Sequence, residues 1–174
     1  LTLRFGLSQM DRWATCSRFN ASYVVTISDR LELELILTNT SAKQELPVET
    51  CLHTYFHVGD IAAVDVAGLE GLSYLDKVDN FALRQQGGDA LKIDSEVDRI
   101  YLDATGPVEI RDERLRRKIR VEKSGSASTV VWNPWTAKAQ QMPDFGDEEY
   151  RQMLCVESGN VGRNRIVLAP GRSS

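Results

Sequence analysis

YVVTISDRLELELIL, from Tyr23 to Leu37, sets a β-branched run and a strictly alternating one on either side of one polar break. Side chains on a strand point alternately to opposite faces, so Leu31, Leu33, Leu35 and Leu37 share a side and the glutamates between them share the other. YVVTIS (Tyr23 to Ser28) is rich in β-branched residues, and Asp29 and Arg30 separate the two runs at the spacing of a tight hairpin. The period is two, which predicts paired strands rather than an amphipathic helix.

The same pattern recurs outward along the chain. Period-two or β-branched runs occur at Cys51 to Phe56, Ala63 to Val66, Val97 to Leu102, Arg117 to Glu122, Thr129 to Trp132, Met153 to Glu157 and Arg165 to Leu168. Turn chemistry separates them at Asn39 to Ser41, Gly59 and Asp60, Gly68 to Gly71, Gly87 to Asp89, Thr105 to Pro107, Ser124 to Ser126, and Gly159 to Asn160. No amphipathic helix longer than two turns competes. Many short strands at this spacing predict an all-β antiparallel sandwich or barrel. No linker, repeat or low-complexity tract divides residues 1–174, which read as a single domain. The chain opens on Leu1, and LTLRF is already an alternating strand with no lead-in, so an upstream segment is expected to be missing.

At 174 residues, 42% apolar and 26% charged, the chain has enough material for one packed core and is too apolar for disorder. Its net charge of −4 supplies no general attraction to nucleic acid or to an anionic membrane. Neither partner is expected. No window approaches the run of about 18 apolar residues that a membrane span requires, and no basic segment followed by an apolar core opens the chain. A cytoplasmic setting is the default expectation. Cys16, Cys51 and Cys155 are odd in number and widely spaced, which predicts reduced thiols rather than a disulfide framework.

The chemistry-bearing residues follow from strand parity. In ETCLHTYFHVGDI (Glu49 to Ile61), Cys51, His53 and Tyr55 share one face; in QMLCVE, Met153, Cys155 and Glu157 do. An imidazole within one apolar strand and a carboxylate at the end of another can act as general acid and base if the fold brings them to opposite sides of a substrate. Each residue alone is more often structural, His53 as a hydrogen-bonded, partly buried histidine and Glu157 as a solvated strand end. Cys51, His53, Cys155 and Glu157 also offer four metal donors. Structural zinc sites draw closely spaced ligand pairs from turns, and this spacing argues against one. His57, four positions beyond His53, is expected about 13 Å away and solvent-exposed near Gly59.

LHTYFHVGDI, then SEVDRIY (Ser95 to Tyr101), then VVWNPW with KAQQMPDFGDEEY, then MLCVESGN closely resemble the successive motifs of the hexose-6-phosphate mutarotase branch of the aldose 1-epimerase family. The resemblance runs from LTLRF to LAPG but corresponds only to the later part of a family member. It implies a large antiparallel β-sandwich of the galactose mutarotase type, incomplete at its N-terminus, with a shallow sugar cleft on one sheet. It also implies roles: His53 of LHTYF as general acid, Glu157 of CVE as general base, and Asp98 of VDR as the residue that holds sugar hydroxyls. No metal, nucleotide or redox cofactor is implied. The implied reaction interconverts the α and β anomers of glucose 6-phosphate, or of a related phosphorylated hexose, by opening and reclosing the ring.

The phosphate is expected to be bound by arginines of the family's earlier segment. The basic run RDERLRRKIR (Arg111 to Arg120) interleaves acids and reads instead as the solvated face of an edge strand. Trp132 and Trp135 either offer aromatic surface to the sugar or cover the core, with Pro134 fixing a turn. Asp144 and Asp147 either rim the cleft or cap a short helix near Asp147. Two other functions fit the same residues: a non-catalytic carbohydrate-binding or protein-interaction domain, and an aldose 1-epimerase acting on unphosphorylated sugars. Residues 1–174 alone are expected to be unstable or to associate.

Overall fold

The structure is a computed structural model that describes residues 1–7 and 18–174. The reading of Cys16 lies outside the described residues. These hold sixteen strands and one α-helix, and the chain divides into two compact units. No helix among them is long and apolar enough to cross a membrane.

The first unit, residues 1–48 and 165–174, is built on the opening hairpin. β1 (Thr2–Leu7), β2 (Phe19–Ile27) and β3 (Leu31–Asn39) form an antiparallel sheet in that order. Ile27 pairs with Leu31, so the connection is Ser28, Asp29 and Arg30, one residue longer than expected. The four leucines of β3 do share a face, and burial increases along it from exposed Leu31 to buried Leu37. β4 (Leu46–Val48) pairs antiparallel with the segment Ile166–Leu168.

The second unit, residues 49–164, contains two packed sheets. Its strands are β5 (Thr50–Leu52), β6 (Tyr55–His57), β7 (Val64–Ala67), β8 (Ser73–Asp76), β9 (Ala82–Gln85), β10 (Leu91–Lys92), β11 (Val97–Tyr101), β12 (Val108–Asp112), β13 (Arg117–Val121), β14 (Ser128–Asn133) and β15 (Met153–Asn160). β16 (Ile166–Leu168), in the first unit, is the partner of β4. A seven-stranded antiparallel sheet runs β5, β15, β14, β11, β8, β9, with β6 following β5 along the same edge of β15. A four-stranded sheet runs β10, β7, β12, β13. Val66, Leu91, Val108 and Ile110 from the smaller sheet meet Tyr74, Val97, Tyr101, Val131, Leu154 and Val156 from the larger one in a single core. This is the expected antiparallel sandwich. Alternation then sends the other residues of β11, β14 and β15, among them Asp98, Trp132 and Glu157, to the outer face of the larger sheet.

Several sequence expectations change in detail. The run from Cys51 to Phe56 is not one regular strand: Thr54 N donates to Leu52 O at 2.9 Å, a three-residue turn centred on His53. β4, β8, β9, β10 and β12 were not anticipated. The basic run ends in β13, an edge strand on which Arg117, Lys118 and Arg120 are exposed. The helix near Asp147 is a 3-10 turn at Glu149–Gln152 whose cap position is Glu148, so Asp147 does not cap it. The α-helix is α1 (Trp135–Ala139), which follows Pro134 directly.

Candidate functional site

Register builds the site. On β15, Ser158 pairs with Leu52 of β5, and Cys155 pairs with Tyr55 of β6. Both pairings belong to one register, so the turn at His53 breaks the hydrogen bonding without shifting the frame. His53 therefore stands opposite Glu157. On the other side of β15, Val130 of β14 faces Glu157, and Ile100 of β11 faces Val130. The neighbouring row across the sheet is Tyr55, Cys155, Trp132 and Asp98. Strand spacing puts the Asp98 and Glu157 backbones roughly 12 Å apart, a span suited to one sugar ring between their side chains.

His53 Nε2 lies 3.5 Å from Glu157 Oε1. His53 is half exposed, whereas Glu157 is 95% buried at its side chain. The second carboxylate oxygen, Oε2, accepts from Cys51 Sγ at 2.9 Å. Gly159 makes that contact possible: it pairs with Cys51, and a Cβ there would come within 2.9 Å of Cys51 Sγ and 2.7 Å of Thr50 O. Partial desolvation of the thiol, in a residue that is otherwise exposed, and then the hydrogen bond to Glu157 push Cys51 from 9.0 up to about 12. Burial and the Glu157 charge likewise push the Cys155 thiol up. Both thiols are thus held protonated beside the carboxylate. The expectation that acid and base lie on opposite sides of a substrate is corrected, since no ring fits a 3.5 Å gap. Adjacent groups suit better the ring opening that the resemblance implies, because the anomeric oxygen and the ring oxygen of a pyranose are bonded to the same carbon.

A cleft of about 310 Å³ covers these residues. Glu49, Asp98 and Glu157 give it three carboxylates, Lys77 one ammonium, and Ile100, Val130, Trp132 and Val161 an apolar floor. Asp98 is 5% exposed; its Oδ2 takes Lys77 Nζ at 2.7 Å, and its buried Oδ1 has no partner. An orphaned buried acceptor beside a cleft is suited to a ligand hydroxyl. His53 stacks on Tyr55 with ring centroids 4.9 Å apart, and Trp132 meets both rings edge-on.

The two tryptophans divide between the alternatives. Trp132 floors the cleft, while Trp135 packs against Tyr150 and the sandwich core. Buried Asn133 ties this corner: its side chain donates to Tyr150 O and Met153 O and accepts from Trp135 N. Asp144 is exposed, and its charge reaches the Tyr55 hydroxyl; Asp147 is exposed and does not line the cleft. His57 is exposed, its carbonyl accepting from Arg117. Lys77 was missed from the sequence, because it enters the cleft only through the pairing of β8 with β11.

A two-sheet antiparallel sandwich with an imidazole, two buried carboxylates and aromatic rings on one face has the architecture of the mutarotases. A structure from Salmonella typhimurium, provisionally described as a mutarotase, matches with a TM-score of 0.79 at 29% identity, over 91% of this chain and 52% of that one. A galactose mutarotase related enzyme from Lactobacillus acidophilus shares the fold with a TM-score of 0.76 at 11% identity, over 99% and 65% of the two chains. The aldose 1-epimerase family model matches residues 16–174, and the chain belongs to that family. A protein of Cenchrus ciliaris provisionally named glucose-6-phosphate 1-epimerase is 38% identical over 98% of this chain and 52% of its own length. One of the same provisional name from Escherichia coli strain K12 is 37% identical over 71% of this chain and 42% of its own. The chain thus spans about half the length of the curated relatives it matches.

Proposed function

We propose that the protein is a hexose-6-phosphate 1-epimerase that interconverts the α and β anomers of glucose 6-phosphate, working in the cytoplasm. The observation that carries the reading is the His53 and Glu157 pair, 3.5 Å apart on one sheet face above the cleft. In this mechanism Glu157 takes the proton of the anomeric hydroxyl while protonated His53 gives its proton to the ring oxygen. The bond between the anomeric carbon and the ring oxygen breaks, and the aldehyde forms. Rotation about the bond to the next carbon presents the other carbonyl face, and the reverse transfers close the ring as the other anomer. Asp98 holds a sugar hydroxyl on its free Oδ1, with Lys77 keeping the carboxylate oriented. Cys51 orients Glu157. The chemistry conserves electrons and protons, so these side chains suffice for it.

NMR exchange between the two anomers, with the full-length protein, tests the roles. Glu157→Gln is expected to slow exchange by about 10²- to 10⁴-fold, the usual contribution of a positioned base. Undiminished exchange would remove Glu157 from that role. The names of the relatives support a phosphorylated substrate. The acidic lining of the cleft favours a second reading, an aldose 1-epimerase for neutral sugars, and comparing exchange rates on glucose and glucose 6-phosphate separates the two. A binding module on the same face would retain affinity for sugar but catalyse no exchange.

A further inference from the structure

The face that carries the acid and base pair also holds a donor that ring opening leaves idle. Cys155 lies two residues before Glu157 on the same side of β15 and has no exposed surface. One ligand atom from each of His53, Cys155 and Glu157 lies within 4.8 Å of the other two. We propose that these three side chains bind a thiophilic divalent cation, zinc foremost, and that the bound ion reversibly blocks the acid and base pair.

The geometry needs only small adjustments. Zinc takes nitrogen and oxygen ligands at about 2.0–2.2 Å and sulfur at about 2.3 Å, so tetrahedral donors sit roughly 3.3–3.8 Å apart. His53 and Glu157 already stand at 3.5 Å. Binding requires side-chain torsions to bring the donor atoms, now within 4.8 Å of one another, into that range. Three protein ligands and one open position is the arrangement of accessible rather than closed zinc sites, and half-exposed His53 marks the entry from the cleft. Imidazole with thiolate selects zinc over magnesium or calcium, which prefer oxygen. Cys51 supplies an outer contact: by holding Oε2 it leaves Oε1 turned toward His53, where the ion would sit. Binding displaces the Cys155 thiol proton to solvent, and the dication neutralises thiolate and carboxylate together. The ion then occupies the lone pairs of His53 and Glu157 that proton transfer uses.

The spacing of these residues in the sequence argued against a structural zinc site. Register supplies what spacing lacks, two ligands from alternate positions on one face of a strand and a third directly across from one of them. Blocking of the reaction rests on the acid and base reading given above; metal binding does not.

The test uses the full-length protein, with circular dichroism confirming the fold of each variant. Zinc affinity is measured by competition with a chromophoric chelator, and cobalt(II) serves as a spectroscopic probe. Expected is tight binding of zinc that Cys155→Ala and His53→Gln each weaken by more than about tenfold. Cobalt is expected to show a thiolate charge-transfer band that Cys155→Ala removes, magnesium should not compete, and zinc should slow anomer exchange until EDTA restores it. Absence of zinc binding, or affinity unchanged in both variants, overturns the site. Should the protein catalyse no exchange at all, the chelator and cobalt measurements still decide it.

Discussion

Glu157 turns one oxygen toward His53 while a thiol occupies the other. A protonated Cys51 donates to Oε2, whereas an ionised one would repel the carboxylate, so the raised thiol preserves this contact and with it the orientation of Glu157, even though Cys51 as a residue is exposed. The thiolate, not the thiol, reacts with iodoacetamide. With its pKa moved from 9.0 to about 12, Cys51 is expected to alkylate two to three orders of magnitude more slowly at pH 8–9 in the folded protein than after unfolding. Thiol labelling followed by mass spectrometry measures this. The linkage has a definite sign. Below pH 9 both states hold the proton and the contribution to stability is intact; from pH 9 to about 12 only the folded state does, so stability declines as pH rises through that window. Asp98 presents the complementary case. Removing Lys77 leaves both its oxygens without a protein partner, so Lys77→Met is expected to raise KM for the sugar several-fold with a smaller effect on kcat. Steady-state kinetics on the full-length protein would separate the two, and an unchanged KM would exclude Lys77 from the site.

β15 determines the arrangement at the next scale. Its odd-numbered residues supply Cys155 and Glu157 to the cleft face, while Leu154 and Val156 enter the core. Gly159→Ala would drive a methyl into Thr50 O and Cys51 Sγ. The backbone oxygen cannot yield as a flexible side chain would, and a loss of about 1–3 kcal/mol is expected, measured by urea denaturation, together with faster labelling of Cys51. Strand parity was legible in the sequence for β3, β11, β14 and β15, where β-branched or alternating residues persist over five or more positions. SYLD and LK, the sequences of β8 and β10, are too short and mixed to carry a period. VEIRD of β12 alternates, but it runs straight into the charged turn that follows. The turn at His53 left no signature, since its neighbours continue the strand pattern on either side.

For the whole chain, the second unit closes its own core, whereas the first leaves apolar surface uncovered. Leu1, Leu3, Phe5 and Leu7, all on one side of the opening strand, are each more than a third exposed, as are Ile27 and Leu31 at its hairpin. A patch of that kind drives association. The isolated 174-residue chain is therefore expected to elute above its 19.5 kDa mass and to bind an apolar dye, and a monodisperse monomer without dye binding would contradict this. Which residues share a face was readable locally; the meeting of His53 with Glu157 depends on β-pairing across a hundred residues, which no local pattern encodes. That pairing carries a consequence for change over time. Because cleft and core read opposite parities of the same eight-residue segment, inserting or deleting a single residue between Met153 and Asn160 would swap the cleft-facing set with the packed set. Length variation among descendants of this chain should therefore collect in the connections and spare that segment altogether.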